Sequence, residues 1–229
     1  YYLAGKYKIH PTYIQTMLSD KVFDFSVIRK IIESLQKVDS SSFNPKKLNF
    51  ANSSKTKKIN WNPEKIFKNK EVLILGNGKT AIDHKKELEL FVKKNNPIVL
   101  ALNLKKNISE NLIDFRVASH PFRILSELDQ LSKIKKKIIM PHSQLPDLIK
   151  KKINKDKVLD FGLRLERNKF RFYKNYCSVP NNLVFSYILG IVNAGKADKI
   201  FLAGFDGYDK QDTRYLELSN FLNIYANNK

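Results

Sequence analysis

Two kinds of apolar pattern alternate along the second part of this chain. VLIL (72–75), IVLALN (98–103), IIM (138–140) and KIFLAG (199–204) are short runs that are apolar at nearly every position. A strand covered on both faces has that pattern, because neither row of its alternating side chains meets water. LIDFRVAS (112–119) is a further strand, and VLDFGLRL (158–165) and KFRFYKNY (169–176) read as extended. Between these runs apolar residues recur every three or four positions, which predicts helices over about 81–94, 121–134, 147–153, 181–196 and 213–227. Pro121 suits the first turn of its helix. The helix over 181–196 is apolar almost all round, hence buried, and Gly195 marks its end. Strands interleaved with helices predict an α/β, Rossmann-like fold: a mostly parallel sheet with helices on both faces.

The first 60 residues follow other rules. PTYIQTML (11–18) opens with Pro11 as a helix would, and SVIRKIIESLQKV (26–38) sets Val27, Ile28, Ile31, Ile32, Leu35 and Val38 on one stripe. From Ser40 to Asn60 the chain is rich in Ser, Asn and Lys and lacks apolar periodicity, so little regular structure is expected there. The expected division is a small helical segment over 1–39, a linker over 40–61 and the Rossmann-like domain over 62–229.

With 42% hydrophobic residues in 229, a sizeable core is affordable. No apolar run approaches the roughly 20 residues that span a bilayer. A single cysteine, Cys177, forms no internal disulfide and suits a reducing cytoplasm, where a small buried side chain is its ordinary role. The chain begins at Tyr1, which reads as a piece of a longer protein. Its net charge of +20 rests on 42 basic residues of which only seven are Arg. Lysines spread among abundant Asn and Ile are a compositional bias rather than a nucleic-acid surface, which would use Arg for bidentate contacts. No specific nucleic-acid partner is therefore expected, while the field favours small anionic ligands.

In a parallel sheet, ligands lie beyond the carboxyl ends of the strands. The first strand ends in Gly76-Asn77-Gly78-Lys79-Thr80 at the mouth of a helix, a turn suited to a phosphate. A P-loop would need glycine where Leu73 stands, and the GxGxxG pattern has Ala81 in its third place. A tight turn with no ligand is the competing reading. Asn103 follows the second strand, Ser119 and His120 the third, and Pro141, His142 and Ser143 the fourth. Asp206, in GFDGYD (204–209), follows the last, and SVPNN (178–182) leads into the buried helix. His120 and His142 would share one mouth if their strands are neighbours. No HxH, CxxC or HExxH spacing suggests a metal site, and no GxSxG elbow suggests a serine nucleophile.

Two resemblances add to this reading. YYLAGKYKIHPTYIQTMLSD (1–20) resembles the segment that follows the barrel in 4-hydroxy-2-oxovalerate aldolase-like proteins, relatives of HMG-CoA lyase, some of which carry an extra domain with a VLILG strand and an ALN strand. That resemblance implies a metal-dependent lyase barrel upstream. The divalent metal and the catalytic residues would belong to the barrel, leaving no cofactor and no lyase activity in these residues. The glycine turn, Asn103 and SVPNNLVFSYILGIVNAGKADKIFLAGFDGY (178–208) are similar to bacterial CMP-sialic-acid sialyltransferases and to hydroxymethylpterin pyrophosphokinase-like proteins. This implies a nucleotide or nucleotide-sugar ligand lined by Gly76, Asn77, Gly78, Asn103, Ser178 and Asn182, with Asp206 at the glycine-flanked turn; position at the strand ends adds Lys79 and Thr80 of the same turn, with His120 and His142 as further candidates. The sialyltransferases take their base from a histidine after the FD motif, and none follows His142 here. The expectation is a ligand-binding domain in surface-glycan or sugar-acid metabolism. Its alternatives are a nucleotide-sugar glycosyltransferase or phosphoryl-transfer enzyme, and a non-catalytic assembly module that forms a homo-oligomer.

Overall fold

The computed structural model describes residues 59, 61–105 and 107–227. The helical segment over 1–39 and nearly all of the linker over 40–61 lie outside the described residues. Six strands build the main sheet: β1 (Glu71–Leu75), β2 (Ile98–Leu102), β3 (Phe115–Val117), β4 (Lys137–Met140), β5 (Val158–Asp160) and β9 (Lys199–Ala203). Their order is β5-β4-β3-β2-β1-β9, and every neighbouring pair is parallel. The chain steps outward from β1 to β5, then returns to lay β9 on the other side of β1. The switch in direction therefore falls between β1 and β9. Three further strands, β6 (Gly162–Leu165), β7 (Arg171–Phe172) and β8 (Tyr176–Val179), form a small mixed sheet ordered β6-β8-β7.

Alternation along the strands sorts the side chains onto two covered faces. Val72 and Ile74 of β1 join Leu100, Leu102, Val117, Ile138 and Met140 in the larger core. That core is closed by α4 (Pro121–Ser126), α5 (Leu128–Leu131), α6 (Asp147–Lys150), α7 (Val184–Ala194) and α8 (Thr213–Ala226). Leu73 and Leu75 face the other way, with Val99, Ala101 and Phe201, under α2 (Lys79–Asp83) and α3 (Lys85–Asn95). α1 (Glu64–Phe67) precedes β1 and buries Phe67. Val72 to Leu75 are each at most 2% exposed. At about 1.5–3 kcal/mol per buried side chain, β1 anchors both layers.

α7 behaves as its sequence predicts. Seven consecutive residues, Ser186 to Val192, are buried, and Gly190 lies so close to Cys177 of β8 that a Cβ there would stand 2.7 Å from its Sγ. Other elements differ from the sequence reading. The helix predicted over 81–94 is two helices broken at His84, and the one over 121–134 is two short helices broken at Glu127. VLDFGLRL is two strands in different sheets. The Phe161 N–H still donates to the Met140 carbonyl, after which the chain leaves the main sheet. Among the described residues β9 is the edge of the sheet rather than a buried strand, and Leu202 is 51% exposed. The packed unit also reaches back beyond residue 62. Ile59 is buried, its carbonyl accepts from Asn175, and Trp61 packs edge-on against Phe67 and Phe161.

Candidate functional site

The glycine turn after β1 is tied to the turn after β9. Gly76 N–H donates to the Ala203 carbonyl at 2.8 Å and Gly78 N–H to the Gly204 carbonyl at 2.9 Å. Gly204 has φ +71, a left-handed conformation that suits glycine. The two chains approach so closely that a Cβ on Gly78 would stand 2.5 Å from the Asp206 carboxyl carbon and 2.6 Å from the Gly204 carbonyl oxygen. Asp206 itself accepts from the Thr80 N–H at 3.0 Å and from the Thr80 hydroxyl. Those bonds, the hydroxyl first, hold its carboxyl below the usual carboxylate range. The protein's own carboxylate thus sits at the Thr80 end of this turn. The helix it caps is only five residues long. Lys79 pairs with Asp83 one turn on, at 2.5 Å, rather than reaching over the turn.

The loop after β2 is set by Arg116, a buried cation within β3. Its guanidinium donates to the carbonyls of Asn103 (3.2 Å) and Lys105 (2.7 Å), and pairs with Glu110. Asn103 takes a left-handed turn with φ 56, and its N–H donates to the Val117 carbonyl. Two bonds join this loop to the first. Asn107 Nδ2 donates to the Gly76 carbonyl at 2.5 Å and Lys105 Nζ to the Asn77 carbonyl at 3.2 Å. One rigid rim results, following β2, β1 and β9 in space.

Several polar atoms on this rim are buried without a partner. They are Oδ1 of Asn77, Asn103 and Asn107, and, at the start of α7, Oδ1 of Asn182. α7 runs antiparallel to the β9 that follows it, so its N-terminus points to the same edge, where Phe185 and Phe205 rings lie 4.6 Å apart. No acidic residue occupies its first turn, leaving the positive end of its dipole uncompensated there. Asn181 steadies the approach, its Oδ1 accepting from Leu183 N–H and the Ser186 hydroxyl.

Ser178 sits elsewhere. It lies inside the small sheet, and its hydroxyl donates to Glu166 at 2.6 Å. Farther along the edge, His120 and His142 do follow neighbouring strands, β3 and β4. His120 is the N-cap residue of α4. Buried His142 is held toward its neutral form by desolvation, against the pull of Asp160. Burial likewise raises the Asp160 carboxyl, whose two oxygens accept from the Ser143 N–H at 3.2 Å. Gln144 clasps the backbone of Leu163 with two bonds of 2.7 Å, which joins the small sheet to the main edge.

Sequence reasoning passed over Asn107, Arg116 and Asp160. Arg116 had a signal, as one cation in an otherwise apolar strand. Asn107 had none, since nothing local tells a loop asparagine that will be buried from one that will not.

Among the described residues no group of three or more His, Cys, Asp or Glu side chains could hold a metal ion, and no helix is long and apolar enough to cross a membrane. No family model matches the chain, and no curated protein matches it either.

Proposed function

We propose that this domain binds a nucleotide or nucleotide-linked sugar at the carboxyl edge of its sheet, around β2, β1 and the start of α7. The observation that carries the reading is the set of buried, unpartnered amide oxygens on Asn77, Asn103, Asn107 and Asn182 beside the switch point. Leaving a buried polar atom unsatisfied costs about 1–3 kcal/mol, and four on one rim call for a polar occupant. Neutral amides read the edges of a base or the hydroxyls of a ribose. The phosphate falls to the eleven-residue α7, because the Gly76, Gly78 and Thr80 N–H groups of the glycine turn already have acceptors within the protein. The resemblance to nucleotide-sugar enzymes points to the same ligand class, and the resemblance of residues 1–20 makes this the ligand-binding part of a lyase-type protein. By that reading these residues have no aldolase activity of their own.

The test is a thermal-shift series on the 229-residue chain with CMP, UMP, AMP, GMP and their sugar conjugates. A ligand at about 100 times its dissociation constant adds about 2.7 kcal/mol, roughly 5–10 °C for a domain of this size. At least one nucleotide should produce such a shift. The proposal is lost if none does, or if Asn103→Ala and Asn107→Ala leave the shift intact.

A further inference from the structure

The small sheet carries a surface unlike the rest of the chain. Of the seven arginines, Arg164, Arg167 and Arg171 fall within eight residues, interleaved with aromatic side chains. Between residues 161 and 180 five basic residues face a single acid, whereas the whole chain has 42 against 22. The even spread of lysine that set nucleic acid aside does not extend to this stretch.

Register decides which of these side chains look outward. Leu163 and Phe172 are both partners of Cys177, which is buried under α7, so that face of the small sheet is packed inward. Arg164 and Arg171 are both partners of Ser178, and Tyr173 lies opposite Tyr176, its N–H donating to the Tyr176 carbonyl. By alternation these residues share the other face. There the Tyr173 and Tyr176 rings stack, 4.3 Å apart and 15° from parallel, and the Arg164 guanidinium lies 4.4 Å from the Tyr176 centroid. One ring face has no room for both neighbours, so Arg164 and Tyr173 take opposite faces of Tyr176 and the three form a stack. Tyr173 is its outer member, 40% exposed although Tyr176 covers one of its faces. Arg167, Arg171 and Lys174 are exposed around it, and among the described residues no carboxylate pairs with them. The nearby acid, Glu166, already accepts from Lys169 and from the Ser178 hydroxyl.

An open aromatic face flanked by such cations fits a ligand with both flat rings and repeated negative charge. Single-stranded nucleic acid has both: its bases stack on aromatic side chains and its phosphates meet the cations. A duplex hides the faces of its bases. An anionic membrane would need apolar bodies projecting from the same face. Phe172 belongs to the other row, its ring 6.2 Å from Phe170, and the outward rings lie against one another.

We infer that the outward face of the small sheet binds single-stranded nucleic acid, with a base stacked on Tyr173 and phosphates on Arg167, Arg171 and Lys174. Stacking and charge carry no sequence code, so this binding is not sequence-selective. The surface shares no residue with the rim of the main sheet, so it stands or falls apart from the nucleotide reading.

The test is fluorescence anisotropy on the full chain with labelled oligo-dT and oligo-U of about 12 nucleotides, and with a duplex of equal length. Three phosphate contacts give a slope of about −2 in log affinity against log salt. Tyr173→Ala should weaken single-strand binding about five- to a hundredfold, and Tyr173→Phe should keep it. Arg167→Gln combined with Arg171→Gln should weaken it and remove about two-thirds of the salt slope. Lys93→Gln combined with Lys94→Gln, on α3, removes the same charge and should have little effect. Both arginines are exposed, so that pair reports even where Tyr173→Ala disturbs the hairpin. Equal losses from the two double variants would reveal a diffuse field and overturn the site. Duplex bound as tightly as single strand, or an unchanged affinity in Tyr173→Ala, would also overturn it. So would binding to phosphatidylserine vesicles that Tyr173→Ala abolishes while the oligonucleotides stay unbound.

Discussion

Replacing Arg116 by Met tests whether one buried cation sets the rim of the site. The side chain keeps its apolar stem and loses four donor contacts: to the carbonyls of Asn103 and Lys105 and to both oxygens of Glu110. A hydrogen bond from a charged donor contributes about 1.5–3 kcal/mol, which for the two carbonyls sums to about 3–6 kcal/mol. Glu110 is 41% exposed and regains water once its partner is gone, so its loss adds little. Methionine fills the vacated volume and recovers part of the cost. The net expectation is about 3 kcal/mol, or roughly 6–12 °C in Tm, read by urea and thermal unfolding. Arg116→Lys should fall between the two, because an ammonium cannot fork to both carbonyls and Glu110 at once. In that milder variant nucleotide binding should weaken by more than stability does, because Asn103 and Asn107 belong to the loop that Arg116 holds. A Met variant within about 0.5 kcal/mol of the parent, the range of an ordinary surface substitution, would refute the reasoning.

Three other outcomes follow from the same geometry. Gly78→Val should lower stability by about 1–3 kcal/mol through overpacking against Gly204 and Asp206, seen as a drop in Tm without any ligand; a fully stable variant contradicts the packing of the two turns. Asp206 has a lowered folded pKa, so its contribution is present above the ordinary aspartate range and is lost as pH falls through the folded value. Asp206→Asn should therefore lower Tm at pH 7 and flatten its fall toward pH 3, and an unchanged acid limb in a pH–Tm series would count against the contact with Thr80. Cys177 is buried and its thiol is pushed well above the usual range, so a thiol reagent should label it only as the chain unfolds in urea, whereas rapid labelling of the native protein contradicts its place under α7.

What could be read in advance depended on how local the cause was. β1, β2, β4 and α7 were legible because burial on all sides leaves an unbroken apolar run. β9 has the same kind of run yet lies at the edge, since Leu202 is apolar without being covered. The breaks at His84 and Glu127 were hidden, because the apolar spacing continues across them. VLDFGLRL could not show its change of sheet at Phe161, which is fixed by the carbonyl of Met140. Asp206 was legible as a well-placed carboxylate, but its partner Thr80 is 126 residues away in sequence, so its internal role was not. The asparagines following the strands were legible by position alone. Their unpartnered oxygens emerged only once the two loops were seen to close over them.

The placement of β9 beside β1 has a consequence for how the protein is made. Glu71 and Lys199, register partners in these strands, are 128 residues apart. A ribosome releases β1 long before its second neighbour exists, so the nascent chain presents one bare edge of its most apolar strand through most of synthesis. Such non-local pairing is slow to form, and an open strand edge invites pairing with other chains. The turn after β1 is also incomplete until Gly204 and Asp206 arrive. The rim therefore takes its full shape only once β9 and the turn after it are made, and a truncation before residue 199 should yield aggregation rather than a smaller folded domain.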